Sequence, residues 1–150
     1  MKLKHLFIIS LSLGIATLDV IFKYIALKRL PEEGGRFNSV IGFGLHKNPG
    51  IAFDIPIPIP IIIMTTLAIV IVLSILAEKQ IQSKNLSKAT MLIIVIIGSL
   101  GNMADRIING FTTDYIILFN RSAINLSDLL IIFGILSLLL YTKDKDEHII

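Results

Sequence analysis

The chain has 150 residues, 54% hydrophobic and 17% charged, with a formal net charge of +3 and neither cysteine nor tryptophan. A water-soluble domain runs at roughly 45 to 50% apolar and about 25% charged, so a mean hydropathy of +0.82 places this chain in a membrane. The absence of cysteine excludes disulfide frameworks, thiolate metal sites, iron–sulfur clusters and cysteine nucleophiles. Basic residues scattered between apolar stretches argue against a nucleic-acid surface.

Met1-Lys-Leu-Lys4 is a short basic start to an apolar run that lasts to Leu27, interrupted by Ser10, Ser12, Thr17, Asp19 and Lys23. The run is long and no small-residue cleavage site closes it, so it reads as a retained first span over about 5–27 rather than a signal peptide. The stretch 37–55 mixes Phe37, Val40, Ile41, Phe43, Leu45, Ile51 and Phe53 with glycines, a composition closer to short strands than to a helix. It predicts a small sheet resting on the outer membrane surface. After the alternating Pro56, Pro58 and Pro60, a second span covers about 58–77 and ends at Glu78-Lys79. A third follows over 88–107 and a fourth over 124–142. A spanning helix needs about 20 residues, so four spans leave only loops and ends. The tail from Lys143 to Ile150 reads as a solvated, frayed end. With no internal repeat, linker or second domain, the expected architecture is a single domain over 1–150: an all-α membrane protein of four transmembrane helices with a small β-rich extracytoplasmic cradle.

Lys2 and Lys4, then Lys79, Lys84 and Lys88, then Lys143 and Lys145 fall on one side of such a bundle, which the positive-inside rule makes cytoplasmic together with both termini. Lys28, Arg29, Arg36, Lys47 and Arg121 fall on the other side, so the bias is partial. Given this topology, the charged and amide residues inside the runs share a depth. Asp19 and Lys23 lie near the outer end of the first span, Asn102, Asp105 and Arg106 near that of the third, and Asn125 and Asp128 near that of the fourth. Asp114, in the short external connection, can fold back to the same place. Ionisable residues within spans are costly and mark function.

Each has a plainer role too. Asp19 and Lys23, spaced i, i+4, can neutralise one another. Arg106 can snorkel to the headgroups, and Asp105 can serve as a support. Asp114 fits a solvated turn and Asp128 a helix N-cap. Gly98 and Gly101 allow close helix approach without any ligand. His5 and His148 fall on the cytoplasmic side and His46 on the outer segment, so a serine–histidine arrangement has no partner here, and no zinc-binding pattern is present. Paired aspartates are what the convergence offers. Two carboxylates close together in a poorly hydrated place share a proton, so one acts as base on water while the other donates to a substrate oxygen. That suits peptide hydrolysis, although proton relay in a small transporter uses the same residues, and helix glue in a structural protein also accommodates them.

The local sequences narrow this choice. Leu18-Asp19-Val-Ile-Phe-Lys23, Lys47-Asn48-Pro49-Gly50-Ile-Ala52-Phe53, Gly98-Ser-Leu-Gly101-Asn102-Met-Ala-Asp105-Arg106 with Thr113-Asp114-Tyr115-Ile116, and Ile124-Asn125-Leu126-Ser127-Asp128 together resemble lipoprotein signal peptidase, also called signal peptidase II, over essentially the whole chain. The Gly-Asn-x-x-Asp-Arg block followed by Asp114 is the most specific element. The resemblance implies an intramembrane aspartic endopeptidase of a prokaryotic cytoplasmic membrane, needing no cofactor or metal, that removes the signal peptide from diacylglyceryl-modified prolipoproteins just before the lipidated cysteine. Carried over by motif, Asp114 and Asp128 are the catalytic pair. Asn48, Asn102, Arg106 and Asn125 position substrate, and Asp19, Lys23, Gly50 and Asp105 are supports. Lipid-modified prolipoproteins, membrane lipids and globomycin-type inhibitors are the implied partners. The family's Phe-Asn-x-Ala-Asp reads Ile124-Asn125-Leu126-Ser127-Asp128 here, and Phe119-Asn120-Arg-Ser-Ala123 imitates its start without the aspartate, so Asp128 is the anchor. A catalytically inactive relative would carry the same blocks.

Overall fold

The computed structural model describes residues 2–31, 40–51, 55–119 and 122–147, the stretch 142–147 by its backbone alone. Arg36, Phe37, Ala52, Phe53, Asn120, Arg121 and His148, which entered the sequence reading, lie outside the described residues. In chain order the elements are α1 (Leu3–Arg29), β1 (Ile41–Asn48), α2 (Ile59–Gln82), α3 (Leu86–Asn109), β2 (Thr112–Leu118), β3 (Ser122–Ile124) and α4 (Leu126–Glu147). Among the described residues three helices, α1 to α3, are long and apolar enough to cross a membrane. The apolar part of α4, Leu126–Tyr141, is shorter. The expected frayed tail is corrected in part, because the α4 backbone stays helical to Glu147.

The helices wear their apolar side chains outward. Phe7, Leu11 and Leu18 on α1 and Ile61, Met64 and Val72 on α2 are exposed, whereas α2 buries only Ile62, Val70 and Ala77. So much outward apolar surface suits lipid and not water, which makes this a multi-pass membrane protein. α3 is the central helix and packs against α1, α2 and α4. A Cβ added at Gly98 would lie 2.6 Å from the Ser127 carbonyl oxygen, and one at Gly134 would lie 2.5 Å from Val95 Cγ2. The α3 and α4 backbones therefore approach closely through small residues, as membrane helices do.

Capping groups sort the helix ends. Asn85 caps α3 by accepting from the Lys88 N–H at 3.4 Å, and Tyr141 near the far end of α4 donates to the same Asn85 Oδ1 at 2.8 Å. The α3 helix therefore begins before Lys88, where the sequence reading started it. Thr90 donates its hydroxyl to Leu86 O at 2.8 Å, which leaves it to accept from His5 Nδ1 of α1 at 3.1 Å. The start of α1, the α2–α3 turn and the later part of α4 thus share one end. At the other end Gly110 closes α3 with a left-handed φ of 77°, its N–H donating to Arg106 O at 3.0 Å.

The sheet stands at that second end. Its antiparallel order is β1-β2-β3, with Ile41 opposite Leu118, Asn48 opposite Thr112 and an irregularity between Phe43 and His46. β1 falls in the stretch read as strands. β2 and β3 come from the connection read as a loop, whose Thr-Thr-Asp-Tyr-Ile-Ile-Leu run is rich in β-formers. Ala26 of α1, Leu45 of β1 and Tyr115 of β2 are buried together with Leu126 packed beside them, so the sheet sits on the end of α1 and the start of α4.

Candidate active site

Every candidate residue named from the sequence falls into one hydrogen-bonded network at the sheet end of the bundle. Its centre is Lys23, whose ammonium lies 3.0 Å from Asp19 Oδ2 and 3.4 Å from Asp105 Oδ2 and donates to Asn102 Oδ1 at 2.9 Å. All four residues are buried. A buried lysine is stable only with such compensation.

Two arms leave this centre. In the first, Asn102 of α3 donates from Nδ2 to Asp128 Oδ1 of α4 at 2.7 Å. Asp128 sits in the first turn of α4 and not at its cap: Asn125 is the N-cap, accepting from the Asp128 N–H at 2.9 Å, while Asp128 Oδ2 accepts from the Asn125 N–H at 3.1 Å. This reciprocal capping box corrects the N-cap reading of Asp128 and fixes its carboxylate against the helix start. In the second arm, Asp105 accepts from the Thr113 N–H at 2.6 Å and from Asn109 Nδ2 at 2.6 Å, which pins β2 one residue before Asp114.

The arms meet at Asn125, which is fully buried. Its Nδ2 donates to Asp114 Oδ1 at 2.6 Å while its Oδ1 and backbone N–H hold Asp128. One asparagine therefore bridges the two aspartates. Asp114, 2% exposed, receives a longer 3.4 Å contact from Asn48 Nδ2 on its other oxygen. Burial, and then the charge of Asp128, push the Asp114 carboxyl from the ordinary 3.8 up to about 7, against the pull of Asn125 and Asn48.

Asn48 leads to the remaining pair. Its Oδ1 accepts from the Gly50 N–H at 2.9 Å, and the Gly50 carbonyl accepts from Arg106 at 3.2 Å. A Cβ at Gly50 would strike the Ile55 carbonyl oxygen, so only glycine fits there. Among the described residues, Arg106 Nε and Thr112 Oγ1 are buried polar atoms with no hydrogen-bond partner.

Tyr115, Ser127, Thr113 and Asn109 were not singled out from the sequence. Tyr115 donates its hydroxyl to Asp19 Oδ1 at 2.9 Å, Ser127 donates to Asp19 Oδ2 at 2.7 Å, and the Leu126 N–H donates to Asp19 Oδ1 at 3.0 Å. Burial and the Asp19 charge raise the Tyr115 phenol, so it stays protonated and donates. The available signal was position: Tyr115 follows one candidate aspartate and Ser127 precedes the other. His46, which the sequence puts on the outer segment, stands opposite Asp114 in the strand register.

Solved structures share this fold, among them two bacterial membrane enzyme structures. A bacterial membrane enzyme structure obtained by the in meso method at 2.3 Å resolution superposes with a TM-score of 0.75 at 22% identity, covering 93% of this chain and 91% of that one. A second bacterial membrane enzyme structure by the same method, at 1.9 Å, gives 0.68 at 23% identity over 89% and 92%. No curated protein matches the sequence significantly. The model of the signal peptidase (SPase) II family matches residues 11–143, nearly the whole chain, and the chain therefore belongs to the signal peptidase II family.

Proposed function

We propose that this chain is an intramembrane aspartic endopeptidase that removes the signal peptide from diacylglyceryl-modified prolipoproteins, cleaving just before the lipidated cysteine. Family membership supplies the peptidase class and lipoprotein precursors as substrates. The observation that carries the chemistry is the asparagine bridge: Asp114, buried, and Asp128, half-buried, are each one hydrogen bond from Asn125, and burial pushes the Asp114 carboxyl up to about 7.

In this proposal the pair holds one shared proton, carried by Asp114 on Oδ2, the oxygen with the weaker contact. Asp128 takes a proton from water as the water oxygen bonds to the scissile carbonyl carbon, and Asp114 gives its proton to the carbonyl oxygen. The resulting diol collapses: the amide nitrogen takes the proton held by Asp128, the C–N bond breaks, and a diol hydroxyl returns its proton to Asp114. The signal peptide leaves as a carboxylic acid and the lipidated cysteine as a free amine. Asn48 and Arg106 hold the cleavage stretch extended and the lipidated residue in register. Asn102 and Asn125, whose amides are committed to Lys23, Asp128 and Asp114, position the substrate through the aspartates they hold. The unpaired Arg106 Nε supports that role, because a substrate carbonyl would complete it. Asp19, Lys23, Gly50 and Asp105 maintain the frame.

In the same proposal α4 is a fourth span, the lysine-rich ends of the helices face the cytoplasm, and the sheet is the extracytoplasmic cradle of a single domain over 1–150 in a prokaryotic cytoplasmic membrane; the lysines support this orientation. A substrate that is itself an apolar helix reaches the site laterally through lipid, and globomycin-type inhibitors compete for it. Asp114→Asn and Asp128→Asn each lower cleavage by about three orders of magnitude or more while the purified protein still folds. Full cleavage by either well-folded variant would end the aspartic assignment.

A further inference from the structure

Asp19 belongs to α1, yet the groups that donate to its carboxylate lie mostly beside the candidate dyad. Oδ1 receives the hydroxyl of Tyr115, the residue after Asp114, and the N–H of Leu126, the first residue of α4. Oδ2 receives the hydroxyl of Ser127, the residue before Asp128, and the Lys23 ammonium. Side chains alternate across a strand. Thr113 and Tyr115 therefore share the β2 face that is tied to Asp105 and Asp19, while Asp114 presents the other face to Asn125 and Asn48.

Ser127 is fully buried on the first turn of α4, where a serine hydroxyl ordinarily serves the local backbone. Here it reaches across to α1. The neighbouring helix makes room for it, since a Cβ at Gly101 would collide with Ser127 Oγ. The Tyr115 ring is seated independently, edge-on to Phe22 of α1 at 5.9 Å between centroids. Its hydroxyl also lies 3.3 Å from the Leu126 N–H, so it touches both sides of the same joint.

We infer that Ser127 and Tyr115 are positioning residues for the reaction: through Asp19, their hydroxyls fix where Asp128 and Asp114 stand relative to one another. This rests on the peptidase function proposed above. Neither hydroxyl touches substrate; each holds the backbone next to a group that does. Misplacement by about 1 Å costs on the order of a hundredfold in rate, so loosening the joint lowers turnover more than it lowers binding.

The test uses the full-length protein in detergent with a diacylglyceryl-modified prolipoprotein peptide. Ser127→Ala and Tyr115→Phe each remove one hydroxyl and leave the ion pair of Asp19 with Lys23 in place. Expected is a fall in kcat on the order of ten- to a hundredfold with KM little changed, and no further fall when either change is added to Asp19→Asn. A second readout needs no turnover: the infrared carbonyl band of protonated Asp114, assigned by its loss in Asp114→Asn, is titrated in wild type and in both variants. The charged and titratable groups around that carboxyl are Asp128 on α4, Lys23 on α1, Arg106 on α3 and His46 on β1, and the variants leave all of them intact. A displaced titration midpoint supports the inference. Unchanged kcat with an unchanged midpoint overturns it, even if the thermal midpoint drops, because the hydroxyls would then serve stability alone. If wild-type enzyme cleaves nothing, the peptidase function falls, while the infrared titration still decides whether the hydroxyls set the placement of the aspartates.

Discussion

Asp114 binds its proton more tightly in the folded protein than in the unfolded chain, since its carboxyl moves from the ordinary 3.8 up to about 7. The unfolded chain therefore holds fewer protons between these values, and stability falls as pH rises through that window. The contribution is fully present below about pH 4 and is lost above about pH 7. Asp114→Asn removes this dependence, so its thermal midpoint in detergent exceeds that of wild type by a few degrees at pH 8, and the gap closes near pH 4. Parallel curves across the range would contradict the buried, proton-holding carboxyl. The same group predicts catalysis: kcat/KM declines above about pH 7 as the donor proton is lost. The sequence disclosed the charged members of this site because a charge inside an apolar run is expensive and therefore conspicuous. It did not disclose Tyr115, Ser127 or Thr113, whose hydroxyls cost little in such a run and acquire meaning only through the carboxylates they reach.

Between elements, the joint of α3 with α4 carries Asp128 to Asn102. Gly98→Ala pushes a methyl into the Ser127 carbonyl and Ile131, moving the first turn of α4 away from α3. Overpacking of this kind costs about 1–3 kcal/mol, and activity should fall further than that loss of stability accounts for, because Asn102 and Asp128 part. Equal activity with a lowered thermal midpoint would show that the joint does not place the aspartate. Lys23→Ala leaves Asp19 and Asp105 as buried charges without their cation. Breaking a buried pair costs about 3–5 kcal/mol, so the thermal midpoint should drop by roughly ten degrees. An unchanged midpoint would count against Lys23 as the centre of the frame. The helices were legible as long apolar runs, and Gly98 and Gly101 as close-approach residues. β2 and β3 were not, because strands this short lie in a connection whose length matched a loop, and their pairing with β1 is set by residues far away in the chain.

For the whole molecule, the ties of His5 to Thr90 and Tyr141 to Asn85 gather the start of α1, the α2–α3 turn and the later part of α4 at the end opposite the sheet. The lysines at that end predict its side of the membrane. The chain has no cysteine, so single replacements report topology cleanly: Lys84→Cys should react with a membrane-impermeant maleimide only in opened cells, and Val40→Cys in intact cells. The reverse pattern would invert the protein. The most direct measurement of the central claim is a gel-shift cleavage assay of purified protein with a diacylglyceryl-modified prolipoprotein, run beside Asp128→Asn and beside the same substrate without its lipid. Cleavage by wild type alone, and of the lipidated substrate alone, is the predicted result. Equal cleavage by Asp128→Asn, or no cleavage of any lipidated prolipoprotein by well-folded wild type, would contradict it.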